Sequence, residues 1–466
     1  MSRICRSFAI LILVGGVAMA GALDDATLSA GSFTIARVDR SAYSEPSPVL
    51  THKQRQLFLA GRSVFHRQWA SISSLNGDWG LGPTFVADRC SGCHLNTGRG
   101  HPPAAANEQL MAMLVRLSIP GADEHGGPNP HPNYGDQFQN HSLDGSNVDL
   151  AHGGQPIPAE AALYLDWEAR DFTLANGEIV SLRKPKLRIE NPAFGPIESD
   201  VMISLRVAQP LVGIGLLDAV SEKTLLAIAR TQRANGINGR PNYVWDAVNQ
   251  RMAMGRYGWK ANVPNLKMQI AAAAIGDMGV NSTLYPEQNC PPAQTLCANM
   301  LPGNLPEIIG PEIDSLALWM QGLAVPARRD VADARVQRGA ALFEQARCAM
   351  CHVPELKTGN TAPLPQLANQ TFRAYTDLLL HDMGEGLADG RPDFQAGPRD
   401  WRTPALWGLG LSETVTGRAT LLHDGRARNV SEAILWHGGE AQKSRQMFSE
   451  MSKADREALV KFVEAI

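Results

Sequence analysis

The sequence has little excess of charge and no long block of charge of either sign. It carries 43 Lys and Arg residues against 46 Asp and Glu residues, a formal net charge of −3 over 466 residues. Nucleic-acid binding depends on a basic patch or stripe, so no nucleic-acid partner is expected; small molecules and proteins are the expected partners. Hydrophobic residues make up 44% of the chain, enough to build cores and to exclude long disordered stretches.

Long apolar runs are also missing after the first 22 residues. Within those residues, Arg3 and Arg6 precede an apolar run at 8–14, and small residues follow at 18–22. This pattern is typical of a cleaved secretory signal. The alternative is a membrane anchor, but the run is shorter than the roughly 20 residues that cross a bilayer. We therefore expect a signal peptide over 1–22, a periplasmic mature protein and no stable membrane span after cleavage.

Cysteine is scarce, with seven residues, but its spacing is regular. Cys5 lies in the predicted signal peptide, and the other cysteines form three local pairs. Two of these pairs begin the motif CxxCH, at 90–94 and at 348–352. Cysteines three residues apart on one helical turn project to the same side. Both can therefore bond one porphyrin, and the histidine that follows can coordinate its iron.

A zinc site or a redox dithiol is the alternative for each motif. Zinc would need two further ligands for each pair, and a thioredoxin-like dithiol would need a βαβ context that the sequence lacks. We therefore predict two covalently bound haem c groups, with their iron, as cofactors. The residues assigned to them are Cys90, Cys93 and His94 for the first haem, and Cys348, Cys351 and His352 for the second, with each histidine as the proximal ligand.

The third cysteine pair, Cys290 and Cys297, encloses a loop with two prolines. An exported protein folds in an oxidising compartment, where cysteines are commonly paired. We predict a structural disulfide between these two residues. The alternative is two unpaired thiols.

A helix is predicted before each CxxCH motif. The first covers about 53–69, and the second has Val336, Ala340 and Phe343 on one face. The letters GRSVF at 61–65 echo GAALF at 339–343, and a helix that leads into CxxCH opens a cytochrome c fold. Between the motifs, the pair Asn176-Gly177 separates two strand-like runs at 171–174 and 178–182, which predicts a hairpin. Further helices are predicted at about 221–232 and 265–276, and after the capping residue Ser452.

These elements predict a mainly α protein with two cytochrome c-like domains. The expected ranges are a signal peptide at 1–22, an N-terminal lead at 23–50, an N-terminal haem c domain at 51–326 and a C-terminal cytochrome c domain at 327–466. The N-terminal domain is enlarged by insertions that include a small β-hairpin or sheet.

The C-terminal part resembles the C-terminal haem domain of bacterial dihaem cytochrome c peroxidases. The similar segments are RTPAL at 402–406, HDG at 423–425 and EAI at 432–434. In that family pattern the distal ligand is Met, or Tyr in the related enzyme that matures a tryptophan-derived quinone; the matching place here is His437. The resemblance thus implies His352 and His437 as the two axial ligands of the second haem. The alternatives are Met383 as the ligand, or His437 as an ordinary helix-end residue.

A second histidine gives a lower haem potential than methionine does, so the second haem is expected to have a lower potential than in ordinary dihaem peroxidases. His381 is interpreted as a propionate or interface residue. The first haem has no obvious distal ligand, and its sixth position is expected to be open or loosely ligated. The candidates considered for it are His101, His125, His131, His141, His152 and Met278.

The whole chain from about 50 to 450 is similar to the bacterial di-haem oxidoreductase family, whose members are assigned as peroxidases and also labelled thiol oxidoreductases. The stretches that carry this similarity are GLGP at 80–83, RVAQPL at 206–211 with 213–217, NGRPN at 238–242, GRYGWKA at 255–261 and LLHDMG at 379–384. The chain lacks the W-D-G-R-A segment that supplies the catalytic glutamate of ordinary dihaem peroxidases. Glu178, Glu190 and Asp277 are the acid/base candidates instead. Nothing in the cysteines supports a thiol substrate.

The resemblance implies an exported di-haem c-type cytochrome oxidoreductase with peroxidase-like activity at the N-terminal haem. Electrons would come from a small redox protein or a quinone-linked donor, enter at the C-terminal haem and pass to peroxide or another small oxidant at the first. The alternatives are a non-catalytic di-haem electron carrier and a haem-based sensor or binding module. The tryptophans that could lie between the haems are Trp245, Trp259, Trp401, Trp407 and Trp436.

Overall fold

A computed structural model describes residues 23–70, 78–143, 157–298 and 305–466, so the signal peptide predicted over 1–22 lies outside the described residues. Both helices and strands occur along the chain. The helices are α1 His52–His66, α2 Cys90–Cys93, α3 Ile214–Asp218, α4 Glu222–Ala234, α5 Leu266–Met278, α6 Thr295–Ala298, α7 Gly310–Gln321, α8 Ala334–Gln345, α9 Ser412–Thr416, α10 Val430–Trp436, α11 Gln442–Glu450 and α12 Lys453–Ala465. The helices predicted near 221–232 and 265–276 are confirmed as α4 and α5.

The strands are mostly short and form several separate sheets. They are β1 Thr34–Ile35, β2 Thr84–Phe85, β3 Met113–Ala122, β4 Pro128–Asn129, β5 His141–Ser142, β6 Ala162–Thr173, β7 Ile179–Glu190, β8 Met202–Val207, β9 Tyr243–Asp246, β10 Arg251–Met254, β11 Val325–Pro326, β12 Leu356–Lys357, β13 Thr371–Phe372, β14 Leu380–Asp382 and β15 Asp400–Arg402. The larger pairings are β6 with β7, and β3 with both β4 and β8, all antiparallel.

The prediction of a mainly α protein is wrong, because 31% of the structure is helix and 20% is strand. One cause is β3, which was not anticipated. Its residues Met113, Val115 and Leu117 are buried in the core, whereas Leu114 and Arg116 line a cavity on the other face. Since both faces are covered, the polar and apolar alternation that marks a half-exposed strand is blurred.

The predicted hairpin exists but is longer than the sequence indicated. Its turn lies at Asn176-Gly177, where Gly177 has a φ of +85°, and β6 and β7 pair over all 12 residues of each strand. The Arg183 Nε on β7 donates to the Arg426 carbonyl at 3.0 Å, and Glu178 pairs with Arg456 at 2.8 Å. The hairpin from the first half of the chain therefore packs against the second half.

The two helices that precede the CxxCH motifs pack in the same way. Gly61 of α1 lies against α7, where an added Cβ would meet the Ser315 carbonyl oxygen at 2.0 Å. Gly339 of α8 lies against α12, where a Cβ would meet the Ala458 carbonyl oxygen at 2.1 Å. Absence of a side chain at each site allows the two backbones to approach closely. The similarity between the sequences at 61–65 and 339–343 thus reflects the same kind of helix crossing at two places in the structure.

An aromatic ring follows each of these glycines by four residues and lies near the motif histidine. The Phe65 ring lies 4.3 Å from that of Trp319 and 6.2 Å from that of His94, between centroids. The Phe343 ring lies 5.3 Å from that of Phe462 and 6.4 Å from that of His352. Each helix crossing therefore carries an aromatic pair that supports the start of a motif.

The C-terminal helix begins as the sequence predicted. The Ser452 hydroxyl accepts a hydrogen bond from the Asp455 amide at 3.2 Å and caps α12. Buried apolar residues form a continuous cluster that extends across position 326, and the domain boundary proposed there stays a prediction. None of the helices in the described ranges is long and apolar enough to cross a membrane.

We predict that Gly339→Ala destabilises the protein by about 1–3 kcal/mol, because the new methyl group overlaps the α12 backbone and forces the helices apart. The matched control is Gly276→Ala in α5, where an added Cβ meets nothing within 4 Å. That variant should gain about 0.5–1 kcal/mol, since alanine favours the helix. Denaturant unfolding of both variants measures the difference. Equal stabilities would show that the α8–α12 crossing does not depend on the close approach.

Candidate functional site

Each CxxCH motif forms a single helical turn. Cys90–Cys93 is α2, and the His94 amide donates to the Cys90 carbonyl at 3.1 Å. Cys348–Met350 is a 3₁₀ turn, and the His352 amide donates to the Cys348 carbonyl at 2.9 Å. None of the four cysteines takes part in a disulfide. The turn therefore places two thiols and one imidazole on the wall of the same cavity.

The two motif histidines share one hydrogen-bond arrangement. The Nδ1 of His94 lies 2.7 Å from the Gln209 carbonyl oxygen, and the Nδ1 of His352 lies 2.9 Å from the Tyr375 carbonyl oxygen. A carbonyl accepts only, so Nδ1 carries the proton and Nε2 keeps its lone pair. Burial lowers the pKa of each histidine to about 4. Both are thus neutral imidazoles held in the tautomer that binds a metal through Nε2.

The first cavity has a volume of about 280 Å³. Its walls come from α2, from β3 and β8, from α5, and from the segment at 256–263. Asp277, one of the acid/base candidates, lies in this wall; burial raises its pKa to about 6, and the Gln137 Nε2 donates to its Oδ1 at 3.0 Å. Glu178 and Glu190 lie on the β6–β7 hairpin, outside the lining of both cavities.

The second cavity has a volume of about 350 Å³ and contains His352, His437 and Met383 in its wall. His437 follows α10, and its Nδ1 lies 2.6 Å from the Ala433 carbonyl oxygen. Its Nε2 is therefore also the nitrogen with a free lone pair. Burial is the largest cause of the low pKa of His352, and protonation of His437 would lower that pKa further. Both histidines line the same cavity.

A short stretch of protein separates the two cavities. The residues that line both are Gln209, Pro210, Val212, Leu217, Trp259 and Arg402. Among the tryptophans considered, Trp259 is the one in this shared wall, and its indole nitrogen donates to the Val207 carbonyl at 2.8 Å. Trp401 and Trp407 line the second cavity alone. Trp245 stacks on His125 with centroids 3.8 Å apart, and neither it nor Trp436 is in the lining of either cavity.

Most distal-ligand candidates for the first haem are engaged elsewhere. His101 lies 2.9 Å from the Thr420 hydroxyl and 2.8 Å from the Thr416 hydroxyl, through its two ring nitrogens. The Nε2 of His131 lies 3.0 Å from a Glu198 carboxylate oxygen. His125 stacks on Trp245 and His141 stacks on Phe85. None of these four lines the first cavity, and His152 lies outside the described residues. Met278 is buried in the cavity wall.

His381 occupies a charged position beside the second motif. Its Nε2 lies 2.8 Å from the Asp377 carboxylate and its Nδ1 lies 3.0 Å from the Glu440 carboxylate. These carboxylates outweigh burial and raise the pKa of His381 well above its ordinary value. Its Nδ1 is also 3.6 Å from the Cys351 sulfur. An imidazolium therefore lies next to one of the two attachment thiols.

Cation–π and stacking contacts fix one wall of the second cavity. His423 stacks on Trp401 with ring centroids 3.6 Å apart. The Lys260 ammonium lies 4.6 Å from the centroid of the Trp401 ring. Lys260 is fully buried and pairs with Asp389 at 2.8 Å. The segments 255–261 and 423–425, noted in the sequence for their family resemblance, thus meet at this wall.

Several buried polar groups in the cavity walls were not among the residues predicted from the sequence. Arg99 and Arg402 are buried without a carboxylate partner in the described structure, and Arg99 Nε has no hydrogen-bond partner there. Tyr257, in the first cavity, likewise has a hydroxyl without a partner of normal geometry. Arg402 and Tyr257 fall in segments that resemble the family, whereas a lone arginine such as Arg99 carries no local signal. Paired thiols, a neutral imidazole and unpaired buried cations together fit a haem, which has two carboxylates.

A disulfide joins Cys290 and Cys297, whose Cα atoms are 5.6 Å apart. Between them, the Gln294 side chain donates to the buried Glu160 carboxylate at 2.5 Å. Burial raises the pKa of Glu160 to about 8. This loop lies outside the lining of both cavities, so its role is to hold the chain near residue 160.

Comparison with known families gives a match over nearly the whole chain. The family described as "Di-haem oxidoreductase, putative peroxidase" matches residues 23–466. The searches of curated proteins and of solved structures returned no match. The family match spans nearly the whole chain and includes both motifs and both cavities. The chain therefore belongs to the di-haem oxidoreductase family, and haems are its expected cofactors.

Proposed function

We propose that the protein is an exported, periplasmic di-haem c-type cytochrome with peroxidase-like activity at its first haem site. The observation that carries this proposal is the shared wall between the two CxxCH cavities, with Trp259 in the lining of both. Covalent attachment would use Cys90 and Cys93 in one cavity and Cys348 and Cys351 in the other. Bound there, the haems would supply one-electron chemistry and, at an open sixth position, a site for a small oxidant.

The protein side chains make the two sites unequal. His94 and His352 are oriented alike, each by a carbonyl on Nδ1. The second cavity also contains His437, a neutral imidazole whose Nε2 lone pair is free. No described histidine other than His94 lines the first cavity. We therefore assign electron transfer to the second site, with His352 and His437 as its ligands, and oxidant binding to the first.

Asp277 is the proposed proton-exchange residue of the first site. Peroxide cleavage needs a proton to move between the two oxygens, and a positioned carboxyl can accept it and give it back. Asp277 lies in the cavity wall, whereas Glu178 and Glu190 do not. Its Oδ1 is held by Gln137 at 3.0 Å, and this contact fixes the carboxyl group at the end of α5.

The expected electron donor is a small redox protein or a quinone-linked carrier, and the expected acceptor is peroxide or another small oxidant. A non-catalytic electron carrier is the second candidate function. Met278 favours it, because this buried thioether lies in the wall of the first cavity and methionine is a common axial ligand of c-type haems.

Carbon monoxide distinguishes these two functions. We expect the reduced protein to bind CO at one haem per chain, because the first site is open or loosely ligated, and to be oxidised by peroxide at a catalysed rate. Reduced-minus-oxidised and CO-difference spectra measure the binding. If neither haem binds CO, and peroxide oxidises the reduced protein no faster than it does in free solution, the protein is an electron carrier.

Replacement of His437 tests the ligand assignment. We expect His437→Ala to convert the second haem from low spin to high spin, because one strong axial ligand is lost. Met383→Leu is the matched control: Met383 lines the same cavity, and its loss should leave the spectrum unchanged. Electron paramagnetic resonance of the oxidised proteins measures both. The opposite result, high spin in Met383→Leu alone, would make Met383 the ligand.

Replacement of Asp277 tests the proton-exchange role. We expect Asp277→Asn to lower peroxide turnover by about 100-fold or more, while CO binding at the first haem persists. Asparagine keeps the shape and can still accept from Gln137, so the fold should be retained. Glu190→Gln, on the hairpin, is the control and should retain full turnover. Unchanged turnover in Asp277→Asn would remove this residue from the mechanism.

A further inference from the structure

Two buried arginines in the cavity walls have no carboxylate partner within the described ranges. Arg99 and Arg402 are 8% and 6% exposed. Arg402 donates to neutral acceptors: the Gly258 carbonyl at 3.0 Å, the Thr403 carbonyl at 3.3 Å and the Gln209 side chain at 2.7 Å. Arg99 donates to the Leu422 carbonyl at 2.5 Å, and its Nε has no partner. Neither side chain has its charge compensated by a contacting anion.

Other buried arginines in the described structure have carboxylate partners. Arg206 and Arg391 pair with Asp393 at 2.6 and 3.0 Å. Arg426 pairs with Asp424 at 2.6 Å, and Arg456 pairs with Glu178 at 2.8 Å. These pairs follow the general rule, because a buried charge without a partner costs several kcal/mol. Arg206 also lies in the wall of the first cavity, but it has a carboxylate partner there. Arg99 and Arg402 are the two buried arginines of the described cavity walls that lack one.

Burial does not remove the charge of these arginines. It lowers the pKa of both Arg99 and Arg402 to about 10, so both remain cationic at neutral pH. The carboxylates of Asp424 and Asp377 act on Arg99 and Arg402, respectively, without contacting them, so the space for a contacting anion is inside the cavities. Arg402 lines both cavities and Arg99 lines the second. The Arg99 guanidinium also lies 5.6 Å from the centroid of the Trp259 ring, which places it near the shared wall.

We infer that Arg99 and Arg402 form a carboxylate-binding site at the shared wall that holds haem propionates, with Arg402 serving both haems and Arg99 the second. The inference rests on the two attached haems of the proposed function. Guanidinium groups match carboxylates in shape and charge and bind them strongly in buried surroundings. A cation held beside a haem carboxylate also favours the reduced iron. Arg402 therefore links the reduction potentials of the two haems.

The test compares three holoprotein variants: Arg402→Gln, Arg99→Gln and the control Arg456→Gln. Arg456 is buried and charged like the others, but it pairs with Glu178 outside both cavities. Spectroelectrochemical titration should show that Arg402→Gln lowers the potentials of both haems and that Arg99→Gln lowers that of the second alone. The control should match the parent protein. Resonance Raman propionate-bending bands should shift in the first two variants and stay unchanged in the control.

Unchanged potentials and Raman bands in Arg402→Gln and Arg99→Gln would overturn the inference, as would equal shifts in the control. If the glutamine variant of Arg402 does not accumulate, Arg402→Lys is measured instead. It keeps the charge but loses the planar pair of donors, so the propionate band should shift while both potentials stay near the parent values. An unshifted band in that variant also overturns the inference.

Failure of the proposed function would give results different from failure of the propionate assignment. A chain without attached haem shows no haem absorbance at all. A protein that carries both haems but does not react with peroxide keeps the potential shifts described above, because they depend on propionate contacts and not on turnover.

Discussion

The hydrogen bond from each motif histidine to a distant backbone carbonyl is the constraint on which the site depends. His94 is held by Gln209, 115 residues away, and His352 by Tyr375. CxxCH can place two thiols and an imidazole on one turn by local geometry alone. It cannot choose the imidazole tautomer or ring direction, and the carbonyls do this only after the long-range fold has formed. The glycine-mediated helix crossings at 61 and 339 hold the start of each motif against the core.

The same dependence explains which features the sequence could predict. The two motifs, the disulfide pair, the C-terminal cap at Ser452 and the turn at Asn176-Gly177 are local patterns, and the structure contains the corresponding turns and bonds. The fold class was mispredicted in part because β3 is covered on both faces and shows no simple alternation, and in part because the hairpin strands β6 and β7 are longer than predicted. The shared wall could not be predicted, because it brings together residues near 99, 209, 259 and 402 that no sequence spacing connects.

Candidate residues of the same chemical type differ in whether the fold places them in a cavity wall. Asp277 and Glu190 are both carboxylic acids between the two CxxCH motifs, but one lies in a cavity wall and the other ends a hairpin strand. His101 and His437 are both close in sequence to a motif or to a family-like segment. His101 uses both ring nitrogens on threonine hydroxyls, whereas His437 keeps Nε2 free in the second cavity. The tertiary structure therefore determines whether the reactive nitrogen of a histidine is free to bind a metal.

A repeated scaffold with unequal cavities is a physical basis for division of labour. The two helix crossings, the aromatic rings beside the histidines and the carbonyl contacts on Nδ1 are duplicated. The differences lie in the opposite walls, where the second cavity has His437 and the first has Asp277, Tyr257 and Met278. Under the proposed ligation, two histidines on one iron would favour electron transfer, and an iron without a second histidine would favour binding of a small molecule. Arg402 and Trp259 lie in both walls, so they are the residues through which a change at one site would reach the other, by charge and by packing.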